Sequence, residues 1–396
     1  MVRRTAPNRQ DKPMRFLHRH TLRLLVISLA TILVQGCSGS DDTDPDGFTN
    51  AQDTTNTVDT SIPDSSTNPG DTASNNDLGI SDNGSNTDSG TTSDPGSGPI
   101  NPSDEVDPNC TDGLYTEILP DPNASIQSAI SNYSSNGYME FIQSILETRF
   151  PIGWYILEGG LQSNAGFGPN NCVDTFLQNK SAASDVISRL STLVHECGHF
   201  FNLGNMSFDS STYYINPTLS FTCNGGSNQF GGKTFSRSKL LEDEYQSQFV
   251  PCESGQFTGC DSYASLYLTG QMGDQGFDTL LEETVQYVNS LATGYAFHDQ
   301  YVWQVSERDG ILTFLWYVER YLRMARLDYP ETYALISGDA CWRSAILTVW
   351  GRAWLFLEET KDIQNLGLDD DLVINLVRAP ELLEEIERLR DLEGCP

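Results

Sequence analysis

From Ser38 to Asn109 the chain carries fifteen acidic residues and no lysine or arginine, set among Ser, Thr, Asn, Gly and Pro. Such a stretch has too little apolar surface to offset the entropy lost on ordering. Packed structure is therefore confined to what lies on either side. Residues 37–109 read as a disordered acidic linker, reaching on the order of 50 Å as a flexible coil. An Asp-rich run from Asp42 to Asp53 has the spacing of a calcium loop, but Pro45 interrupts it and no helical pattern flanks it. The folding unit is expected at 110–396, which is long enough for one large domain.

Residues 1–36 have a different character. Seven basic residues and one acidic residue lie among the first thirty-seven, and the apolar run LLVISLATILV precedes Gln35-Gly36-Cys37. A charged start, a short apolar core and a small residue before a cut describe a signal peptide. With Val34 at −3, Gly36 at −1 and Cys37 at +1, the cut site resembles that of bacterial lipoproteins. The resemblance implies a lipid on Cys37 and attachment to the cell envelope. Ser38 at +2 points to the outer membrane by the same resemblance, with the protein periplasmic or surface exposed.

The net charge is −31 over the whole chain, and 110–396 holds sixteen basic against thirty-eight acidic residues. That balance lacks the basic face that phosphate binding needs, so nucleic acid is not an expected partner. It also argues against electrostatic binding to anionic lipid, which leaves the lipid anchor as the membrane contact.

Within the folding unit the most informative stretch is Ser184–Gly204, SDVISRLSTLVHECGHFFNLG. It reads as one helix, with Ser184 as N-cap, Asp185 in the first turn and Gly204 as a left-handed stop. Val186, Ile187, Leu190, Leu193, Val194, Cys197 and Phe201 fall on one side. Ser188, Thr192, His195 and His199 fall on the other, with Glu196 flanking. Residues four apart are neighbours on a helix, so two imidazoles can share one metal. A glutamate after the first histidine can then take a proton from an activated water. His195-Glu196-Cys197-Gly198-His199 is thus an HExxH sequence, and here the chain resembles the zincin metallopeptidases. The resemblance implies Zn2+ as cofactor, His195 and His199 as ligands and Glu196 as general base.

A catalytic zinc takes a third protein ligand. Asn202 and Asn205 stand where the metzincin pattern has Gly and His, so that subfamily does not fit. Resemblance to the gluzincins instead implies a glutamate from a second, antiparallel helix. The segment 278–297 contains Glu282 and Glu283. Glu283 borders the apolar stripe on the row of Tyr287, whereas Glu282 groups with Gln286 and Asn289 on what reads as a far polar face. Glu283 is the expected ligand, with Glu282, His298 and Asp209 as alternatives. His298, Tyr287 and Tyr295 are candidate donors to a developing oxyanion.

Elsewhere the pattern is helical over 122–149 with a break at 131–138, then a short strand at Trp154–Leu157 and a Gly/Asn-rich loop over 158–172. Strands separated by NGG and FGG turns are expected over 206–235. Helices follow at about 278–292, 310–327, 331–336 and 341–361, with another opening at Pro380. The fold class is α+β, a mostly helical zincin-like domain with a small antiparallel β region after the motif helix. Eight cysteines follow Cys37, and an even number in an exported chain suggests disulfides. Cys252–Cys260 is the expected local pair; Cys172–Cys223 would bracket the motif helix and Cys341–Cys395 would tie down the last helix.

Two functions are consistent with these features. One is a zinc peptidase that hydrolyses protein or peptide substrates, tethered to the envelope through Cys37. The other is a non-catalytic envelope lipoprotein with a zincin-like fold that binds a partner. Glu196 separates them, because metal holding alone does not require it.

Overall fold

The computed structural model describes residues 105–163, 165 and 171–395. The expected signal peptide, Cys37, the Asp42–Asp53 run and the expected linker up to residue 104 lie outside the described residues. Among those described, nine α-helices have eight or more residues: α1 (Tyr138–Arg149), α2 (Pro151–Gln162), α3 (Leu190–Asn205), α4 (Phe277–Phe297), α5 (Glu307–Asp328), α6 (Pro330–Gly338), α7 (Ala340–Thr360), α8 (Asp370–Val377) and α9 (Pro380–Glu393). The one sheet among the described residues is a hairpin of β1 (Ser210–Asn216) and β2 (Leu219–Asn224). The domain is therefore mostly helical α+β, with its small antiparallel sheet after the motif helix. No helix among the described residues is long and apolar enough to cross a membrane.

The centre of the packing is α4, buried around nearly its whole circumference. It lies against α3, α5 and α7. On α3, Leu190, Leu193 and Val194 are fully buried, each contributing roughly 1.5–3 kcal/mol of transfer free energy. The backs of α2 and α3 meet where glycine removes the side chain. A Cβ on Gly160 would sit 2.2 Å from the Cys197 carbonyl oxygen, and one on Gly159 would sit 2.4 Å from the Phe201 ring.

That approach explains the first departure from the sequence pattern. Trp154–Leu157 is not a strand but the middle of α2, which runs on through Gly159 and Gly160 to Gln162. Pro151 at the first helical position favours this start. The two glycines, weak helix formers in isolation, are retained because only they allow contact with α3.

The motif stretch is also not one helix. A short helix, Ala183–Ile187, precedes α3, and the chain tightens at Ser188 and Arg189. Ser188 Oγ donates to the Asp185 carbonyl at 2.9 Å, diverting that turn from a regular helix. The cap differs accordingly. Ser184 lies inside the short helix, while Asp185 Oδ2 accepts from the Ala182 N–H at 2.9 Å. Gly204 does not stop α3 in a left-handed turn, since the helix continues to Asn205 and Met206 is extended. Its bare Cα instead admits Ser163, whose Oγ a Cβ would meet at 1.9 Å.

The hairpin turns at Pro217 and Thr218, where Asn216 Oδ1 accepts from the Thr218 N–H at 2.9 Å. The run STYYINPTLSFTC is therefore two strands. The NGG sequence ends β2, with Gly225 and Gly226 at φ of 103° and 41°, and a short helix, Gly226–Phe230, separates it from FGG. Further on, α8 was not apparent in the pattern, and α4 extends to Phe297 rather than residue 292.

Four disulfides close the domain: Cys110–Cys395, Cys172–Cys197, Cys223–Cys341 and Cys252–Cys260. The local Cys252–Cys260 pair agrees with expectation. Cys172–Cys223 and Cys341–Cys395 do not form. Cys197, on the back of α3, faces the short helix Cys172–Phe176 and takes Cys172. That leaves Cys223 of β2 for Cys341 of α7, and Cys395 for Cys110. The Cys110–Cys395 bridge spans 285 residues of sequence, and loop closure of that length stabilises by roughly 5 kcal/mol in a chain-entropy treatment. Upstream of Cys110, Glu105 is already held. Its carbonyl accepts from Arg390 Nη2 at 2.8 Å, and Arg390 also pairs with Asp112 at 2.6 Å, fully buried.

One buried acid stands apart. Glu319 of α5 is 0% exposed, and neither carboxylate oxygen has a hydrogen-bond partner. Burial, reinforced by the charge of nearby Glu385, holds its pKa well above the usual carboxylate range. Glu385 is paired with Arg326 at 2.7 Å. The folded chain keeps Glu319 neutral, while the unfolded chain ionises it near pH 4. Its contribution to stability is thus complete below that pH and falls as pH rises towards the folded-state value. Glu319→Gln keeps the shape and removes this titration. Thermal melts should show little change at pH 4 and a Tm higher by several degrees at pH 8. Equal shifts at both pH values would contradict a neutral buried acid.

Candidate metal centre

The two histidines do not face an open groove. Their side of α3 is covered by α4, and His195, Glu196 and His199 are 6%, 3% and 1% exposed. The contacts run in opposite senses along the two helices. His195 meets Ser290, His199 meets Glu282, and Asn202 also meets Glu282. The helices are therefore antiparallel, the arrangement that the resemblance to the gluzincins implied. Gly198 leaves room for the Gln286 amide between them, since a Cβ there would lie 1.9 Å from Gln286 Oε1.

At the crossing, His195 Nε2 and His199 Nε2 are 3.0 Å apart. Glu283 Oε2 lies 3.4 Å from His199 Nε2 and 3.8 Å from His195 Nε2. This oxygen is buried and has no hydrogen-bond partner. These three residues form a buried group whose ligand atoms all lie within 4.8 Å of one another and could hold a metal ion. The other ring nitrogens are already engaged. His195 Nδ1 faces Ser290 Oγ at 3.0 Å, and His199 Nδ1 faces Glu282 Oε2 at 2.6 Å. Each ring is thereby oriented with Nε2 towards the shared point, the arrangement that metal-ligating histidines adopt.

The charges fit a cation. Burial lowers the His199 pKa, but the Glu282 and Glu283 carboxylates outweigh it and hold the imidazole well above its usual range. Burial and the adjacent His199 charge push His195 well below it. A proton on His199 Nε2 thus points at the lone pair of His195 Nε2 beside an unpartnered carboxylate oxygen. With that proton displaced by a cation, two imidazoles and a carboxylate converging on one point make a donor set for a divalent ion.

Glu196 shares with Phe200 the face of α3 turned towards the short helix Cys172–Phe176, where Phe200 and Phe176 meet edge to face. Its carboxylate makes no hydrogen bond to a described residue. Burial raises its pKa to about 8, with the His199 charge opposing and those of Glu283 and Glu282 adding. Arg237 adds a distant positive charge. It is fully buried, its Nη1 and Nη2 have no partner, and its charge acts on Glu283.

The alternatives to Glu283 fall elsewhere. Glu282 is not on a solvent face. It is 2% exposed and accepts from His199, from Asn202 Nδ2 at 3.1 Å and from Gln286 Nε2 at 2.8 Å. It orients a ligand without being one. Asp209 is exposed at the start of the hairpin and near Asn228. His298 follows the far end of α4, about 22 Å along the helix from Glu283 at 1.5 Å per residue, where its Nδ1 meets the Tyr295 carbonyl. Tyr295 stacks on His298 and is equally remote. Tyr287 packs its ring edge on His195 at 4.8 Å, but its hydroxyl bonds that of Tyr267 at 2.9 Å. Ser290, Asn202, Gln286 and Asn289 were not singled out for the site. Their signal was a run of uncharged amides and hydroxyls on a helix row where a solvated face would carry charges.

A surface cavity of about 320 Å3 lies between α2 and the end of α3, lined by residues including Tyr155, Gln162 and Phe201. None of His195, Glu196, His199 or Glu283 lines it. Comparison of the chain with family models, with curated proteins and with solved structures found no match in any of the three.

The geometry separates the two adjacent glutamates. Glu283→Ala removes a ligand atom and should leave no stoichiometric metal after dialysis. Glu282→Gln keeps the three ligand atoms but weakens the hold on His199 Nδ1, and should bind metal about 10–100-fold more weakly. Metal titration of the two variants decides it, and the reverse order would exchange their roles.

Proposed function

We propose that the chain is a zinc-dependent peptidase of zincin type, tethered to the cell envelope by a lipid on Cys37. The observation that carries this reading is the convergence of His195 Nε2, His199 Nε2 and Glu283 Oε2 on one point, with Glu196 adjacent in sequence to a ligand. A zinc ion there would supply Lewis acidity and make water a nucleophile near neutral pH. His195, His199 and Glu283 would hold it, with Ser290 and Glu282 fixing the two rings. Glu196 would accept a proton from the attacking water and deliver it to the leaving amine. Its environment, buried with a pKa raised to about 8, suits a group that takes up and releases a proton. A positive ion beside it would draw that value back down.

The second reading, a non-catalytic envelope protein with a structural ion, is favoured by the burial of the whole cluster at 6% exposure or less. The two readings differ at Glu196. Glu196→Gln should retain zinc and fold, and should lower chelator-sensitive cleavage of an unstructured protein by about 10²–10⁴-fold. Full activity in that variant removes the peptidase mechanism, and a wild type with metal but no cleavage supports the structural ion.

The attachment rests on Cys37. Cys37→Ser should lose membrane partitioning and either appear in the soluble fraction or remain unprocessed. Unchanged membrane recovery on fractionation would refute the lipid anchor.

A further inference from the structure

Large apolar side chains stand in solvent at two loop tips. Between α4 and α5, Val302 and Trp303 are 83% and 80% exposed. In the loop closed by the Cys252–Cys260 bridge, Phe257 is 72% exposed. Both tips are uncharged in an otherwise acidic domain: residues 300–306 read QYVWQVS and residues 254–259 read SGQFTG. A lone exposed apolar residue is common on a folded surface and needs no explanation. These are not scattered, because one segment carries both loops. The Val305 N–H donates to the Asn365 carbonyl at 2.9 Å, and Gln304 Nε2 donates to the Gln364 carbonyl at 3.2 Å. The Gly259 N–H donates to Asp369 Oδ2 at 2.5 Å. Leu368 lies between these two points of attachment and is itself exposed. Asp309 of α5 fixes the segment in turn, accepting from the Leu368 N–H at 2.8 Å. The apolar tips are therefore held on an ordered base, and covering them costs little further loop entropy.

Charge and the path of the chain identify what covers them. Uncharged tips offer nothing to a partner recognised by ionic groups. Aromatic and aliphatic side chains with no charge among them suit the boundary between lipid headgroups and acyl chains, where tryptophan settles with its ring in apolar surroundings and its N–H in water. The linker also meets the domain on this side. Glu105 pairs with Arg378 at 2.5 Å, and Arg378 directly follows α8. At its other end α8 opens at Asp370, next to the segment that carries the two loops, with Leu372 exposed in its first turn. Eight residues of helix span about 12 Å, so the chain enters the domain close to the apolar face. The linker's reach, on the order of 50 Å, matches the width of a compact domain of this size, about 50 Å.

We propose that the face built on residues 364–372, with Val302, Trp303 and Phe257 at its tips, is a membrane-contact surface: it enters the headgroup boundary of the bilayer to which Cys37 ties the chain, and so sets the orientation of the folded domain. The nearness of a bilayer rests on the reading of Cys37 as a lipid anchor; the chemistry of the face does not. A few inserted side chains are too weak a contact to hold a free domain, but the tether makes the contact intramolecular and raises its effective concentration. Cys37→Ser is therefore still expected to leave the membrane.

Trp303 is its own probe. Of the six tryptophans, Trp154 is half-buried and Trp316, Trp342, Trp350 and Trp354 are buried. The full mature chain with its lipid is placed in vesicles of dioleoylphosphatidylcholine, and in matching vesicles whose acyl chains carry bromine, which quenches tryptophan only at close range. Sedimentation reports the anchor, and fluorescence of the sedimented chain reports the face. The wild type should be quenched by brominated lipid, with its emission shifted to the blue relative to the chain without vesicles. Trp303→Gln should abolish both signals. Val302→Asp combined with Phe257→Asp keeps the probe, adds charge at both tips and should reduce the quenching several-fold, with Tm unchanged because all three side chains are exposed. A wild type that sediments with the vesicles but shows neither quenching nor shift overturns the proposal. A blue shift that develops with protein concentration in the absence of lipid also overturns it, since the face is then covered by a second copy. If the wild type does not sediment, the anchor reading fails by itself. Titration of the same chain with rising amounts of brominated vesicles then decides the face: quenching that Trp303→Gln removes supports it, and none at the highest lipid concentration overturns it.

Discussion

The close approach of α3 and α4 at Gly198 is the contact on which the rest depends. With any Cβ at that position the Gln286 side chain would have to move, and with it the amide nitrogen that now meets Glu282 Oε1 at 2.8 Å. Packing at this density resists relaxation, because neighbouring side chains on both helices are already buried. The candidate metal centre is thus a property of an interface between two helices, and neither helix alone contains it.

Holding so many polar groups in that interface requires that they satisfy one another. An isolated buried amide or carboxylate costs several kcal/mol. Glu282, Asn202, Gln286, Asn289, Arg352 and Glu117 meet the requirement by forming one connected set. The set reaches from the candidate metal centre to the segment near Cys110, which is itself joined to the end of the last helix by the Cys110–Cys395 bridge. Glu283 Oε2 lies outside this set, a buried oxygen without a hydrogen-bond partner beside two ring nitrogens, at the point where the group could hold a metal ion.

Much of the site could be read along the chain because it is local. The i, i+4 spacing of His195 and His199 places them on one helix face whatever surrounds it, and Glu283 could be distinguished by its place beside an apolar stripe. The helices from residue 277 onward were legible for the same reason: their apolar residues repeat at helical spacing over several turns. Trp154–Leu157 failed as a strand because a four-residue apolar run has no period of its own. The glycines after it imitated a loop when their purpose was contact with α3. The polar face of α4 was misread because amphipathicity distinguishes polar from apolar, and a row of Glu282, Gln286 and Asn289 looks the same whether it meets water or another polar row.

The sequence by itself determined the helix with two histidines, a glutamate able to complete the set, and a hairpin after the motif. These follow from side-chain periodicity and turn chemistry acting over a few residues. Tertiary structure alone decided that Glu282 turns inward to His199, that Cys197 pairs with Cys172, and that Arg352 donates to Asn289. Each of these joins groups distant in the chain, from 25 residues for the disulfide to 83 for Glu282 and His199. Such partners are selected by the shape and polarity of the surfaces that meet, which come into being only when the helices pack.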